Sequence, residues 1–254
     1  MIIAPCIEWH FAEAGDLADR IRAAHAAGCK AAEFHLWRDK DLDRLATALD
    51  ETGVRITGFC ADPRRSLVDP AQHDELVAAV ADTIAAGKRI GSPPIIIASG
   101  FLRDGVSAEA HFDAAVTALA RVAALAEAQG AMLLLEPLND RIDHPGMYLV
   151  STTLGLDLIE AVGSPNLRLL YDVYHSTVMG EDMAAVLKGR IHLVHHVQVA
   201  DYVGRNEPGS GGIDWHQVIA TLRAMGYRGA IGLEYRPTRP MAQSLAQTRA
   251  ALGL

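Results

Sequence analysis

The sequence predicts an α/β fold, a single (β/α)8 barrel over residues 1–254. Short apolar runs alternate with amphipathic stretches eight times, the pattern of a parallel sheet wrapped by helices. Eight such units in 254 residues match the size of this architecture. A doubly wound dinucleotide-binding sheet is the structural rival, and its GxGxxG fingerprint does not follow the first apolar run.

Taken in order, residues 2–10 form the first strand, and Leu17, Ile21 and Ala24 give the next stretch helical spacing, closed by Gly28. Residues 31–37 are the second strand. Leu42, Leu45 and Leu49 mark a helix that Gly53 ends. Residues 54–62 are the third strand, followed by a polar loop and an alanine-rich helix over 73–90. Residues 94–100 are the fourth strand. Ser107 is an N-cap for a helix over 108–129, with Val116, Leu119, Val122 and Leu125 on one stripe and Gly130 at its end. Residues 132–136 are the fifth strand, apolar enough to be buried on both faces. A helix over 151–162, strand six over 167–175 and a short helix over 182–188 follow. Strand seven covers 191–201, a helix 215–225, strand eight 229–237 and a closing helix 241–252. No linker or shift in composition divides the chain.

Half the residues are hydrophobic and the net charge is −8, a globular composition that disfavours a nucleic-acid partner, since a phosphate backbone calls for a basic face. Cys6, Cys29 and Cys60 are odd in number and lack CxxC spacing, so neither a disulfide framework nor a cysteine zinc site is expected. No stretch reads as a signal peptide or membrane span. The expectation is a cytoplasmic protein with no membrane partner.

Chemistry in such a barrel sits at the C-terminal ends of the strands. Glu136 ends strand five in LLLEPLND, Asp172 ends strand six in YDVYH, Gln198 lies in strand seven and Glu234 ends strand eight in GLEYRP. A buried carboxylate is costly unless a cation or partner meets it. A local arginine could satisfy one such acid. Three acids from adjacent strand ends repel one another, so either some are protonated or one cation joins them. Three carboxylates and an amide oxygen are an all-oxygen set that suits Mg²⁺ or Mn²⁺ better than zinc.

The segments LLLEPLND, YDVYH, HHVQVADYVGRNEPGSGGIDW and GLEYRP resemble the hydroxypyruvate isomerase family, within the wider group of xylose isomerase-like TIM barrels. The resemblance is closest over residues 133–237, and AAEFHLW resembles that family's second strand. It implies a divalent metal held at Glu136, Asp172, Gln198 and Glu234, with Glu136 and Glu234 as the catalytic acid–base pair. It also implies that His175 and Arg205 contact substrate oxygens, and that the chain forms a homo-oligomer. The implied reaction interconverts a small α-hydroxy aldehyde and ketone through an enediolate. The substrate would be hydroxypyruvate, tartronate semialdehyde or a related 2-oxo acid sugar. A ketose 3-epimerase acting on a free sugar is the alternative. Epimerases of the group tend to carry a glutamate where this chain has Ile142.

Further candidates come from the residues themselves. His175, three residues after Asp172, either meets substrate or orients that acid. Residues 204–212 form a glycine-rich rim or lid from which Arg205 and Glu207 project. Arg205 is either a clamp for a substrate carboxylate or a surface partner of Glu207. Trp37, at the end of strand two, is the pocket-wall candidate among the early strands. Arg64 and Arg65 either attract an anionic substrate or form a solvated loop, and the solvated loop is the expectation.

Overall fold

The computed structural model describes every residue except 203. Strands β1 (Ile2–Pro5), β9 (Ala230–Leu233), β8 (Val194–Val199), β7 (Leu167–Asp172), β6 (Leu133–Leu135), β5 (Ile95–Ile97) and β4 (Phe59–Cys60) form one sheet in that spatial order, with every pair parallel. β2 (Ala31–Ala32) and β3 (Arg55–Ile56) pair as a second sheet. Hydrogen bonds join the sheets on both sides of β2. Glu33 N donates to Pro5 O (3.0 Å) and Ile7 N to Glu33 O (2.8 Å), while Cys60 N donates to His35 O (2.9 Å).

Regular strands therefore number nine among the described residues, where the sequence reading expects eight. The third expected strand is divided at Thr57 and Gly58: its first half pairs with β2 and its second half with β5. The first expected strand stops at Pro5, because Trp9 N and His10 N both turn back to Cys6 O. The sixth stops at Asp172, whose carboxylate accepts from Tyr174 N and His175 N and so caps a helix.

The helices are α1 (Leu17–Ala26), α2 (Leu42–Thr52), α3 (His73–Lys88), α4 (Ala108–Gln129), α5 (Thr152–Val162), α6 (Val173–Met179), α7 (Met183–Val186), α8 (Trp215–Ala224) and α9 (Met241–Leu252). Their ends follow sequence chemistry. Asp16, Asp41, Ser107 and Ser151 each accept a backbone N–H at a helix start. Gly130 closes α4 at φ 67°, a left-handed conformation that costs any residue with a Cβ. Among the described residues no helix is long and apolar enough to cross a membrane.

The main core lies between strands and helices. A separate small cluster of Cys60, Ile96, Leu134 and Leu170 fills the inside of the strand ring. Side chains alternate along a strand, so the inward positions beyond Leu134 and Leu170 are Glu136 and Asp172. On β8 and β9 the inward positions are His196, Gln198, Gly232 and Glu234. Asp172 pairs in register with Gln198, and Gln198 with Gly232.

Candidate active site

The inward residues at the strand ends open into a cavity of about 310 Å³. Glu136, Asp172, His175 and Glu234 each bring one potential ligand atom to within 4.8 Å of the others, and all four are buried. Gln198 lines the same cavity. Six buried side-chain atoms have no hydrogen-bond partner among the described residues, and four of them are gathered here: Asp172 Oδ2, Gln198 Oε1, His175 Nε2 and Arg205 Nε. Buried polar atoms left unpaired are costly, so an arrangement that collects four is fitted to something that would meet them. The donor chemistry suits a divalent cation on the oxygens.

His175 has a different task. Asn139 Oδ1 accepts from Ile142 N and Asp143 N (both 3.0 Å), which fixes the orientation of the amide. Asn139 Nδ2 then faces His175 Nδ1 at 2.7 Å, and Asn139 N donates to the same nitrogen at 3.2 Å. Nδ1 is thereby an acceptor, and the imidazole proton sits on Nε2. Nε2 lies 3.6 Å from Asp172 Oδ2 and offers a donor to the cavity rather than a lone pair. Burial, with the Arg205 charge adding, holds this imidazole neutral, its pKa down at about 3.

The acids sit in unlike fields. Burial pushes Glu136 well above the carboxylate range, and Glu234 and Asp172 push it further. Burial also raises Asp172, with Glu234 adding and Arg205 opposing. Glu234 is buried too, yet the Arg205 charge and the His35 hydrogen bond hold it well below the usual range. His35 Nε2 donates to Glu234 Oε1 at 2.8 Å, and Arg205 Nη2 to Glu234 Oε2 at 2.7 Å. Arg205 also stands 3.7 Å from both Asp172 and Asp143, over the rings of Trp9 and Tyr174. Its backbone is left-handed, φ 54°.

Of the residues singled out from sequence, Glu136, Gln198, Glu234, His175 and Arg205 line one cavity, with Asp172 in contact beside it. Trp37 and Glu207 do not line it. The Trp37 indole N–H donates to Thr83 Oγ1 (3.0 Å) and its ring carries Arg38, so it packs against α3. Trp9 is the wall tryptophan instead, edge-on to His35. Glu207 is fully buried and accepts from Thr238 N and Oγ1, which ties the 204–212 loop to the segment after β9. Asp201 anchors the same loop from within, accepting from Gly209 N, Ile213 N and Trp215 Nε1. Arg64, expected in a solvated loop, lines the cavity with His144, and among the described residues it has no ion-pair partner. His35 and Glu33 were legible only as a strand. An acid and a histidine two residues apart in an apolar run share one face, and that was the available signal.

A parallel α/β barrel with acids gathered at the carboxyl ends of its strands defines a class, the barrel enzymes whose chemistry is built on strand tips. The chain belongs to the xylose isomerase-like TIM barrel family, whose family model matches residues 21–252. A Streptomyces coelicolor protein provisionally named a hydroxypyruvate isomerase is 33% identical over 250 residues, 91% of this chain and 89% of its own. The 2-oxo-tetronate isomerase of Cupriavidus necator is 29% identical over 242 residues, covering 92% of this chain and 93% of its own. A solved structure from Brucella melitensis, described as an AP endonuclease of family 2, superposes with a TM-score of 0.89 at 25% identity over 97% of each chain. The chain is an enzyme, an isomerase of the hydroxypyruvate isomerase family.

Proposed function

We propose that this isomerase interconverts a small α-hydroxy aldehyde and ketone through an enediolate, with hydroxypyruvate and tartronate semialdehyde, or a related 2-oxo acid sugar, as the substrate pair. The observation that carries the reading is the set of unpartnered buried atoms, Asp172 Oδ2, Gln198 Oε1 and His175 Nε2, around Glu136 and Glu234. Glu136, Asp172, Gln198 and Glu234 would hold a divalent cation, Mg²⁺ or Mn²⁺ by their all-oxygen chemistry. Bound there, the cation would polarise the substrate carbonyl and acidify the neighbouring C–H.

The remaining work falls to side chains. Glu136 and Glu234, from β6 and β9, take a proton from one carbon and return one to its neighbour. His175 Nε2–H donates to a substrate oxygen, in the tautomer Asn139 sets. Arg64, which lines the cavity and has no ion-pair partner among the described residues, recognises the substrate carboxylate, while Arg205 is committed to Glu234, Asp172 and Asp143. The ketose 3-epimerase alternative lacks its expected glutamate, since position 142 is an isoleucine exposed to solvent.

The test is EDTA-stripped protein incubated with hydroxypyruvate in D₂O, with and without Mn²⁺ or Mg²⁺, and followed by proton NMR. Metal-dependent formation of tartronate semialdehyde carrying deuterium at C2 is the expected result. Turnover of neutral ketoses with none of hydroxypyruvate would establish the epimerase instead. Failure to bind either metal would remove the ligand set.

A further inference from the structure

Glu33 follows β2, and its side chain is 1% exposed inside the strand ring, where the catalytic cavity does not reach it. One carboxylate oxygen lies 2.7 Å from His196 Nε2; the other accepts from Gln198 Nε2 at 2.9 Å. On the neighbouring strand β9, Gly232 is the register partner of Gln198. A Cβ at Gly232 would stand 2.4 Å from Glu33 Oε2 and 2.7 Å from Oε1. Any larger residue there would displace the carboxylate. The absent side chain at 232 and the acid at 33 are two parts of one arrangement.

A glutamine amide has two orientations of nearly equal shape, which present opposite chemistry. A carboxylate only accepts, so Glu33 can face only the NH₂ end. That choice turns Gln198 Oε1 the other way, where it is buried without a hydrogen-bond partner among the described residues. The opposite orientation would aim two N–H donors into a cluster meant for a cation and set an amide oxygen against a carboxylate. The contact also polarises the amide, which strengthens its oxygen as a donor to a hard ion.

We propose that Glu33 is a positioning residue. It locks the Gln198 amide so that its oxygen, not its nitrogen, is offered to a divalent cation, and Gly232 supplies the space this requires. The inference rests on the reading of Gln198 as a ligand. The experiment measures Mn²⁺ binding by electron paramagnetic resonance on substrate-free protein, alongside thermal unfolding of the metal-free form. Glu33→Gln preserves shape but can accept from only one of its two partners. It is expected to weaken Mn²⁺ binding about 10- to 100-fold, the usual effect of losing a residue that orients a ligand. Gly232→Ala, which leaves Glu33 in place but crowds it, should act in the same direction. The Glu33→Gln/Gln198→Glu double variant exchanges acid and amide, restores a single-sense pair, and should recover binding. Mn²⁺ affinity unchanged in Glu33→Gln, with only the metal-free melting temperature lowered, would overturn the proposal and leave Glu33 a structural partner of His196. Unchanged affinity in Gln198→Leu would instead remove the ligand assignment beneath it.

Discussion

Asp201→Asn isolates the anchoring of the 204–212 loop without changing volume. The Asp201 carboxylate is fully buried, and its oxygens divide four donors evenly. Oδ1 accepts from Tyr202 N (2.9 Å) and Ile213 N (3.2 Å), and Oδ2 from Gly209 N and Trp215 Nε1 (both 2.9 Å). Whichever way an asparagine amide turns, its NH₂ must face two of these donors. The amide keeps its oxygen toward the buried Trp215 Nε1, so the partly buried Tyr202 N and Ile213 N lose their acceptor, at about 1 kcal/mol each. The loss is therefore on the order of 2 kcal/mol, which in a chain of this length lowers Tm by roughly 6 °C. Differential scanning calorimetry reads the loss, and limited proteolysis reports whether it is spent in opening the loop alone. A variant with Tm within about 2 °C of wild type and the same cleavage pattern would refute the reasoning.

His10 is buried and donates to Tyr235 O at 3.0 Å, and burial holds its pKa down at about 4. The unfolded chain protonates this histidine first, near pH 6.5, so the native state loses about 3 kcal/mol as pH falls from there to about 4 and nothing above it. Urea titrations of His10→Gln should lack this component; parallel profiles for the two proteins would refute it. Arg205→Gln leaves Glu234 and Asp172 uncompensated, and should destabilise the metal-free protein by about 3–5 kcal/mol. Mn²⁺ should then raise the melting temperature of the variant more than that of wild type, and equal increments would speak against a shared carboxylate site. Trp37→Phe breaks only the hydrogen bond to Thr83, so steady-state kinetics should show KM unchanged beside a stability loss of about 1 kcal/mol. Arg64→Gln should raise KM for hydroxypyruvate at least tenfold, about 1.4 kcal/mol of lost recognition, with a smaller effect on kcat.

Glu136, Gln198 and Glu234 were legible because strand alternation is local: an apolar run that ends in an acid reports both its depth and its direction. Asp172 was legible for the same reason, although its carboxylate also starts a helix that the strand reading ran through. Trp37 and Trp9 both stand near strand ends, and the deciding information is the path of the chain afterwards. Residues 6–10 turn back on Cys6 and bring Trp9 over the cavity, while Trp37 finds Thr83 on α3. Neither path has a periodicity to read. Glu207 lay beyond reach for a similar reason, since its partner, Thr238, is 31 residues away. The division of the third strand follows from stagger between neighbours, a property of the closed arrangement rather than of residues 54–62. Arg64 has no mark in sequence to separate it from Arg65, and only in space does Glu75 neutralise one and leave the other free.

The guanidinium among the carboxylates has a consequence for loading. Arg205 stands 2.7 Å from Glu234 and 3.7 Å from Asp172, so the carboxylates are partly balanced by a charge belonging to the same chain. On the proposed reading, an incoming ion would have to displace a tethered competitor whose local concentration is set by the loop's reach and not by the cell. That competitor handicaps every divalent ion alike. It lowers absolute affinity while leaving the preference among ions to the donor atoms and to availability. On the same reading metal entry and release of the arginine would be one exchange, coupling the ion to the loop that carries Arg205.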